Sequence, residues 1–389
     1  MLNSVQNTRA LGSLIFARIV YAINWLNFGA IFYLMQNDVG AGVSGLGTVT
    51  AAFYLGIGIV QIPGGLLAAK YGPKRIVVVG ILLTSLSTLA TSVVSTILEL
   101  SVLRFVEGSG MAFVFAPGVV IVTRLIRGKA GMGVGLFNSA YDIGGLIAIF
   151  GWVVIATVTG WRLSLALGGG LGLLTGLLVF LLIPGDESSD EFPVERGSLL
   201  SLLANRQLIL LGLVTLGFSI GNTVISSFMV YYLKSELGVA GTLAGLIASL
   251  ITVIPIFTAL WAGRLYDRAA RHKPILMVAL LASAASLVLG APASVYAAVG
   301  CVVLGGIITG FGFTFAFAGA RDLNRVGPQY DSLAIAWVNC IQLTGSFLPP
   351  VLFSYLADSY GYSQAWLWNA ALTLVFMVPL LMMAKEWRR

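Results

Sequence analysis

Long apolar stretches separated by short polar segments run along the whole chain of 389 residues. Twelve of them are long enough to cross a bilayer as helices, which takes about 20 apolar residues. They lie near residues 11–36, 43–68, 76–95, 97–122, 131–157, 162–183, 207–233, 240–262, 275–291, 294–319, 331–356 and 363–384. None alternates apolar and polar residues with period two, as membrane-barrel strands do. Since helices satisfy their own backbone groups in lipid, the pattern predicts an all-α integral membrane protein with twelve transmembrane helices.

Composition and charge placement support this prediction. Mean hydropathy is +0.97, and 58% of residues are apolar against 10% charged, which is unlike soluble domains. With both termini cytoplasmic, the outer loops hold Arg162 and Lys234 and the spans hold Arg18 and Arg104, so 18 of the 22 Lys and Arg are cytoplasmic. This is the positive-inside pattern. We therefore expect a multi-pass plasma-membrane protein, in contact with membrane lipids, whose net charge of +7 needs no nucleic acid partner.

The chain repeats itself at half its length. The segment at residues 65–75 recurs 198 positions later at residues 263–273, where Lys70 is matched by Arg268 and Arg75 by Lys273. Residues 108–116 recur at 310–318, and Asn138 is matched by Asn339. The repeat predicts two pseudo-twofold-related six-helix bundles, 1–183 and 207–389. They are joined by a cytoplasmic linker, 184–206, with a short surface helix near 197–205.

These repeated segments resemble the Major Facilitator Superfamily over essentially the whole chain. Residues 65–75 are similar to its loop motif between spans two and three, and residues 104–112 to its span-four Arg-x-x-x-Gly motif. The resemblance implies a central cavity, rocker-switch transport and gating by the charged loop residues Lys70, Arg75, Asp267 and Arg268. The first loop has Ala69 where the family has aspartate, so Asp267–Arg268 is expected to carry more of the cytoplasmic latch.

Four charged side chains lie well inside the predicted spans, all in the first half: Arg18, Arg104, Glu107 and Asp142. Such residues usually face a cavity or a partner, because lipid disfavours charge. Arg104 and Glu107 are three residues apart and share a helix face, so they form either a structural brace or an anion-binding and proton-tuning pair. Burial and a neighbouring Glu107 would both disfavour the charged form of Asp142, and we expect Asp142, together with Glu107, to couple transport to protons. Arg18 either extends to the interface or attracts an anion.

Neutral polar and aromatic residues of spans one, five, seven and eleven are further candidates, because the family resemblance implies that such spans line or contribute to the cavity. With the two arginines, the expected substrate-binding residues are Arg18, Asn24, Asn27, Arg104, Asn138, Tyr141, Asn222, Trp337, Asn339 and Gln342. Each of the neutral residues is equally compatible with helix packing.

The preferred interpretation is a monomeric secondary transporter that moves a small organic anion together with protons. Efflux of a lipophilic compound, favoured by the phenylalanines at 311–317, and uptake of a neutral solute such as a sugar stay open. So does a sensor or scaffold that has lost turnover. A single histidine, His272, and two cysteines in apolar spans offer no metal site. With neither a phosphate-binding loop nor a nucleophile elbow, we expect no cofactor and no enzymatic activity.

Overall fold

The computed structural model describes residues 4–126, 130–185, 196–327 and 330–383, and these residues are mostly helical. In the first half the helices are α1 (Ser4–Met35), α2 (Val43–Tyr71), α3 (Pro73–Thr91), α4 (Ile97–Leu125), α5 (Ala130–Leu146), α6 (Trp152–Thr159) and α7 (Trp161–Leu182). The following helices are α8 (Arg196–Leu203), α9 (Arg206–Ser235), α10 (Gly241–Arg268), α11 (Lys273–Gly290), α12 (Val295–Asp322), α13 (Asp331–Gly345), α14 (Leu348–Tyr360), α15 (Tyr362–Val375) and α16 (Met377–Met382).

Twelve helical segments of the described chain are long and apolar enough to cross a membrane, which confirms the predicted number. Three of them, the fifth, the eleventh and the twelfth, are interrupted, although each was predicted as one helix; the twelfth is divided into α15 and α16. The fifth contains a π-helical segment, Ile147–Gly151, between α5 and α6. The eleventh breaks between α13 and α14, where α14 has proline in its first turn. A proline there removes a backbone donor and cannot continue the preceding helix.

The chain divides into two compact units. Unit 1 comprises Met1–Ala41 and Ala52–Phe192, and unit 2 comprises Gly42–Ala51 and Pro193–Arg389. The homology of the two halves, inferred from the repeat, stays a prediction. A helix at α8 confirms the short helix expected near 197–205, and the acidic part of the predicted linker, 186–195, lies outside the described residues.

In unit 1, α1 packs against α5 and α7, and α3 packs against α4 and α7. Glycines bring backbones close together: a Cβ on Gly108 of α4 would overlap the backbone carbonyl of Phe53 on α2, and one on Gly144 of α5 would overlap that of Ile19 on α1. Small residues permit this close approach of membrane helices. These contacts set the distance between α2 and α4 and the distance between α1 and α5. Helices α1, α4 and α5 carry the charged residues of the spans.

In unit 2, α10 packs against α12, and α9 packs against α12 and α13. Aromatic residues Phe218, Tyr266 and Phe315 belong to its core, with Leu276 and Leu280 from α11. The Asn205 side chain caps α9 by accepting from the backbone N–H groups of Gln207 and Leu208. The core of this unit is therefore built mainly from apolar side chains.

Candidate functional site

Arg104 and Glu107 on α4 form a buried ion pair. Arg104 Nη1 lies 2.8 Å from Glu107 Oε2, and the side chains are 5% and 1% exposed. The guanidinium also donates to the backbone carbonyls of Asn24 and Trp25 on α1, each at 3.2 Å, and its Cζ lies 4.3 Å from the Phe53 ring centroid. With a carboxylate, two carbonyls and a ring as partners, Arg104 mainly joins α4 to α1. This geometry favours the structural interpretation of the pair.

Arg18 on α1 is enclosed by four aromatic rings. Its Cζ lies 4.4 Å from the ring centroid of Tyr21, 5.0 Å from Phe115, and 4.7 Å from both Phe137 and Tyr141. Arg18 is 5% exposed, and its Nε and Nη1 atoms are buried without a hydrogen-bond partner among the described residues. We call these five residues the Arg18 box. Ring faces stabilise a cation, but they offer no acceptor to Nε and Nη1.

The Arg18 box therefore differs electrostatically from the Arg104 site. Among the described residues no carboxylate forms an ion pair with Arg18, whereas Arg104 has Glu107. A buried donor left unpaired is costly, and a charged one especially so. An anion that reached the free N–H groups would gain charge-assisted hydrogen bonds. The chemistry of the box suits the binding of one anionic group.

Asp142 on α5 is half-buried beside the Arg18 box, directly after Tyr141 and one turn after Asn138. Arg18 is the charged group that acts on it electrostatically. The sequence predicted Glu107 as a charged neighbour of Asp142. The structure pairs Glu107 with Arg104. Asn138 and Tyr141 are also half-buried, so α5 presents three of the predicted site residues near Arg18.

Asn24 and Asn27 lie on α1 but face α7. Asn24 Nδ2 donates to the Gly168 carbonyl at 3.3 Å, and a Cβ on Gly168 would lie 3.4 Å from Asn27 Nδ2. Both residues are buried, at 1% and 0% exposure. At about 100° per residue, the nine positions between Arg18 and Asn27 place Asn27 on the face of α1 opposite to Arg18. The structure thus places Asn27 away from the Arg18 box, whereas Asn24 lines a small cavity together with Tyr21 of the box.

Two of the predicted site residues of unit 2, Asn222 and Gln342, form neutral hydrogen bonds. Asn222 Nδ2 on α9 donates to Thr309 Oγ1 on α12 at 3.3 Å. Gln342 Nε2 on α13 donates to Ser346 Oγ at 2.9 Å, and that hydroxyl lies 3.4 Å from Ser219 Oγ on α9. These bonds connect helices within unit 2 without any charged group.

Trp337 and Asn339, also on α13, are placed differently from Gln342. Trp337 packs against the apolar core, and its Nε1 is buried without a partner among the described residues, while Asn339 is 7% exposed. Unit 2 therefore contributes neutral polar groups and no charge counterpart to Arg18 within its described span interiors.

The predicted gating residues are exposed, as expected for loop ends: Lys70, Arg75, Asp267 and Arg268. Near the second loop the structure adds two contacts that were not predicted. Tyr266 donates to Asp322 Oδ2 at 2.6 Å, and Lys273 Nζ donates to the carbonyls of Leu381 and Met383 at 2.9 and 3.0 Å. These bonds link the ends of α10, α11, α12 and α16 within unit 2.

Three members of the Arg18 box were missed by the sequence analysis: Tyr21, Phe115 and Phe137. Tyr21 lies three residues after Arg18, so helical spacing places both on one face of α1 and this neighbour was predictable. Phe115 and Phe137 reach Arg18 from other helices, and no local spacing indicates such a contact. Aromatic residues are common in these spans, so composition did not single them out.

Comparison with known proteins identifies the family. The model of the Major Facilitator Superfamily matches residues 14–229 and 211–388. The chain is 30% identical over 164 residues to a Cupriavidus necator protein named "Probable sulfoacetate transporter SauU", covering 42% of this chain and 38% of that relative. It is 27% identical over 300 residues to an Escherichia coli protein named "Probable galactarate/D-glucarate transporter GudP", covering 64% and 65%. The aligned regions thus span less than two thirds of either relative.

A solved structure shares the fold. The inward-facing, unoccupied structure of a bacterial homologue of the human lysosomal transporter Spinster aligns with a TM-score of 0.77 at 14% identity, covering 96% of this chain and 95% of that one. At this identity the likeness concerns the fold alone. The family match covers nearly the whole chain, and the helix count agrees with it. The chain belongs to the Major Facilitator Superfamily and is a multi-pass membrane transporter.

Proposed function

We propose that this transporter carries a small organic anion whose charged group binds at Arg18. The observation behind the proposal is the buried guanidinium of the Arg18 box, whose Nε and Nη1 lack hydrogen-bond partners and which forms no ion pair among the described residues. Arg104 is less suited to this role, because its charge is already matched by Glu107. Two relatives named for organic acids, sulfoacetate and galactarate or glucarate, agree with an anionic substrate.

The same site supports coupling to protons through Asp142. Its carboxylate acts on Arg18 electrostatically, so ionised Asp142 and a bound anion compete for one positive charge. Protonating Asp142 removes this competitor and strengthens anion binding. Symport follows, because the anion and the proton then bind together. Glu107 serves mainly as the partner of Arg104 in this scheme.

The alternative of lipophilic efflux loses part of its support. Phe315 belongs to the apolar core of unit 2, and Phe311 and Phe317 pack against that core. Phe313 lies edge-on to Phe218 with 6.1 Å between the ring centroids. These phenylalanines serve packing, which leaves them less available to hold a lipophilic substrate.

The test is ligand-dependent thermal stabilisation of the purified protein at acidic and at neutral pH. A panel of carboxylates, sulfonates, sugars and lipophilic cations is compared in the wild type and in Arg18→Gln. A ligand at about a hundred times its Kd should add about 2.7 kcal/mol to stability. We expect anions to stabilise the wild type, more strongly at acidic pH, and to lose about 30-fold or more in affinity in Arg18→Gln.

Two control variants sharpen this test. Arg18→Lys keeps the charge but lacks the planar fork, so it should retain weakened anion binding. Arg104→Gln should still respond to the same anion, since its charge is committed to Glu107. Stabilisation by sugars or lipophilic cations alone, or an anion response that survives in Arg18→Gln, would contradict the proposal.

A further inference from the structure

Few charged residues lie inside the spans, and their net charge limits the charge that a bound substrate can carry. Charged residues at least seven positions from either end of a span are Arg18, Arg104, Glu107 and Asp142. Arg104 and Glu107 cancel each other at 2.8 Å. Arg18 and Asp142 remain, and together they are neutral when Asp142 is ionised and carry +1 when it is protonated. The spans can therefore compensate one added negative charge and no more.

The groups that face Asp142 do not change this balance. Arg18 and Tyr21 come from α1, Tyr54 from α2 and Tyr141 from α5 itself, and their charged or phenolic groups interact electrostatically with one another or with Asp142. The α4 residue of the box is Phe115, which carries no charge. The phenols are neutral at physiological pH. Within the described span interiors, Arg18 is therefore the only cation without an ion-pair partner, and its charge is uncompensated once Asp142 is protonated.

The surface around Arg18 is mostly aromatic. Beyond the box, the Trp25 ring lies 5.8 Å from that of Tyr141, 5.9 Å from Tyr54 and 5.1 Å from Phe53, measured between centroids. Trp25 and Tyr141 are half-buried and so are accessible in part. Ring faces bind apolar groups well, but they cannot replace the hydrogen bonds that a polyhydroxylated molecule makes with water.

Resting on the function proposed above, we propose that the substrate is a monovalent anion with an apolar or aromatic body. Dianions and sugar acids, the compounds for which the two relatives are named, are then poor substrates of this chain. One negative charge matches Arg18 once Asp142 holds a proton. A second charge would stay uncompensated among the rings. Because one anion enters with one proton, transport is electroneutral.

The test compares matched anions that differ by one charge or by polarity. Phenylacetate is measured against 4-carboxyphenylacetate and against galactonate, by thermal stabilisation and by uptake into proteoliposomes containing the full chain. We expect phenylacetate to bind about tenfold or more tightly than either, a difference that Arg18→Gln abolishes. Its initial uptake rate should follow an imposed pH gradient and stay constant when a membrane potential is imposed.

The Asp142→Asn variant provides an independent measurement. Its side chain is permanently neutral, so phenylacetate should bind at neutral pH as tightly as it binds the wild type at acidic pH. If 4-carboxyphenylacetate bound as tightly as phenylacetate or more tightly, and did so through Arg18, the substrate would not be restricted to monovalent anions. The proposed function would still hold. Tighter binding of galactonate than of phenylacetate would contradict the proposal that the substrate has an apolar or aromatic body. No Arg18-dependent response to any anion would instead refute the proposed function itself.

Discussion

At the scale of single residues, Arg18 and Arg104 carry the same charge within unit 1 but have different partners. Arg104 has a carboxylate 2.8 Å away and two backbone carbonyls, whereas the rings around Arg18 leave two of its nitrogens without hydrogen bonds among the described residues. Removing one member of a hydrogen-bonded buried pair leaves a charge uncompensated at close range, whereas Arg18 has only a longer-range interaction with Asp142 and its ring contacts. Neutralising Arg104 should therefore cost more stability than neutralising Arg18.

We expect Arg104→Gln to lower the free energy of unfolding by about 3–5 kcal/mol, because Glu107 would lose its counter-charge. Arg18→Gln should lower it less, because the variant loses ring contacts and the interaction with Asp142 but leaves no carboxylate at ion-pair distance without its partner. Thermal unfolding of the ligand-free variants in one detergent measures both. The double variant Arg104→Gln/Glu107→Gln is the matched control and should recover part of the loss. Equal destabilisation by the two single variants would show that Arg18 has a structural partner of similar strength.

Asp142 provides a second prediction at this scale. In Asp142→Asn the site cannot exchange a proton, so net uptake driven by a pH gradient should fall to background. Exchange of internal for external substrate needs no net proton movement and should persist. Proton and substrate fluxes are measured in the same vesicles, with Ser139→Ala on α5, about one turn away, as a neutral control. Continued movement of protons with substrate in Asp142→Asn would exclude the coupling role.

At the scale of helices, glycine contacts set the distances between spans. Gly108 of α4 approaches the backbone of Phe53 on α2, and Gly56 of α2 approaches that of Phe105 on α4. Arg104 and Glu107 lie within one turn of this crossing. The position of the buried ion pair therefore depends on two residues that have no side chain.

Gly108→Ala should lower stability by about 1–3 kcal/mol or more, since the added methyl meets backbone that cannot move alone. Gly65→Ala on α2 is the matched control, because a Cβ there has no atom within 4 Å. Its higher helix propensity should make the control neutral or slightly stabilising. Thermal unfolding compares the two variants. If Gly108→Ala melts at the wild-type temperature, the α2–α4 contact is looser than its geometry indicates.

At the scale of the whole molecule, the charge pattern predicts the orientation in the membrane. Both termini and the loop before α11 should be cytoplasmic, and the loop after it should face outward. Cys301 and Cys340 are buried, so the wild type should react poorly with thiol reagents. An impermeant maleimide applied to intact cells should then label Ala293→Cys and spare Ala270→Cys. The reverse labelling would show the inverted topology.

The number of spans followed from the sequence because lipid imposes one simple requirement on each segment: enough apolar length, with backbone groups bonded internally. The family motifs and the concentration of buried charge in the first half were also visible there. The interruptions in the fifth, eleventh and twelfth spans were not predicted. A π-helical segment changes hydrogen bonding without changing hydropathy, and the prolines of α14 were hidden inside an otherwise apolar run.

The sequence by itself determined the membrane class, the twelve spans and the four charged residues inside them, since each depends on local composition or spacing. Tertiary structure decided which charges are paired. It placed Glu107 against Arg104, turned Asn24 and Asn27 toward α7, and brought Phe115 and Phe137 around Arg18. Electrostatic energy depends on distances between helices, and those distances are set by packing that no single segment encodes.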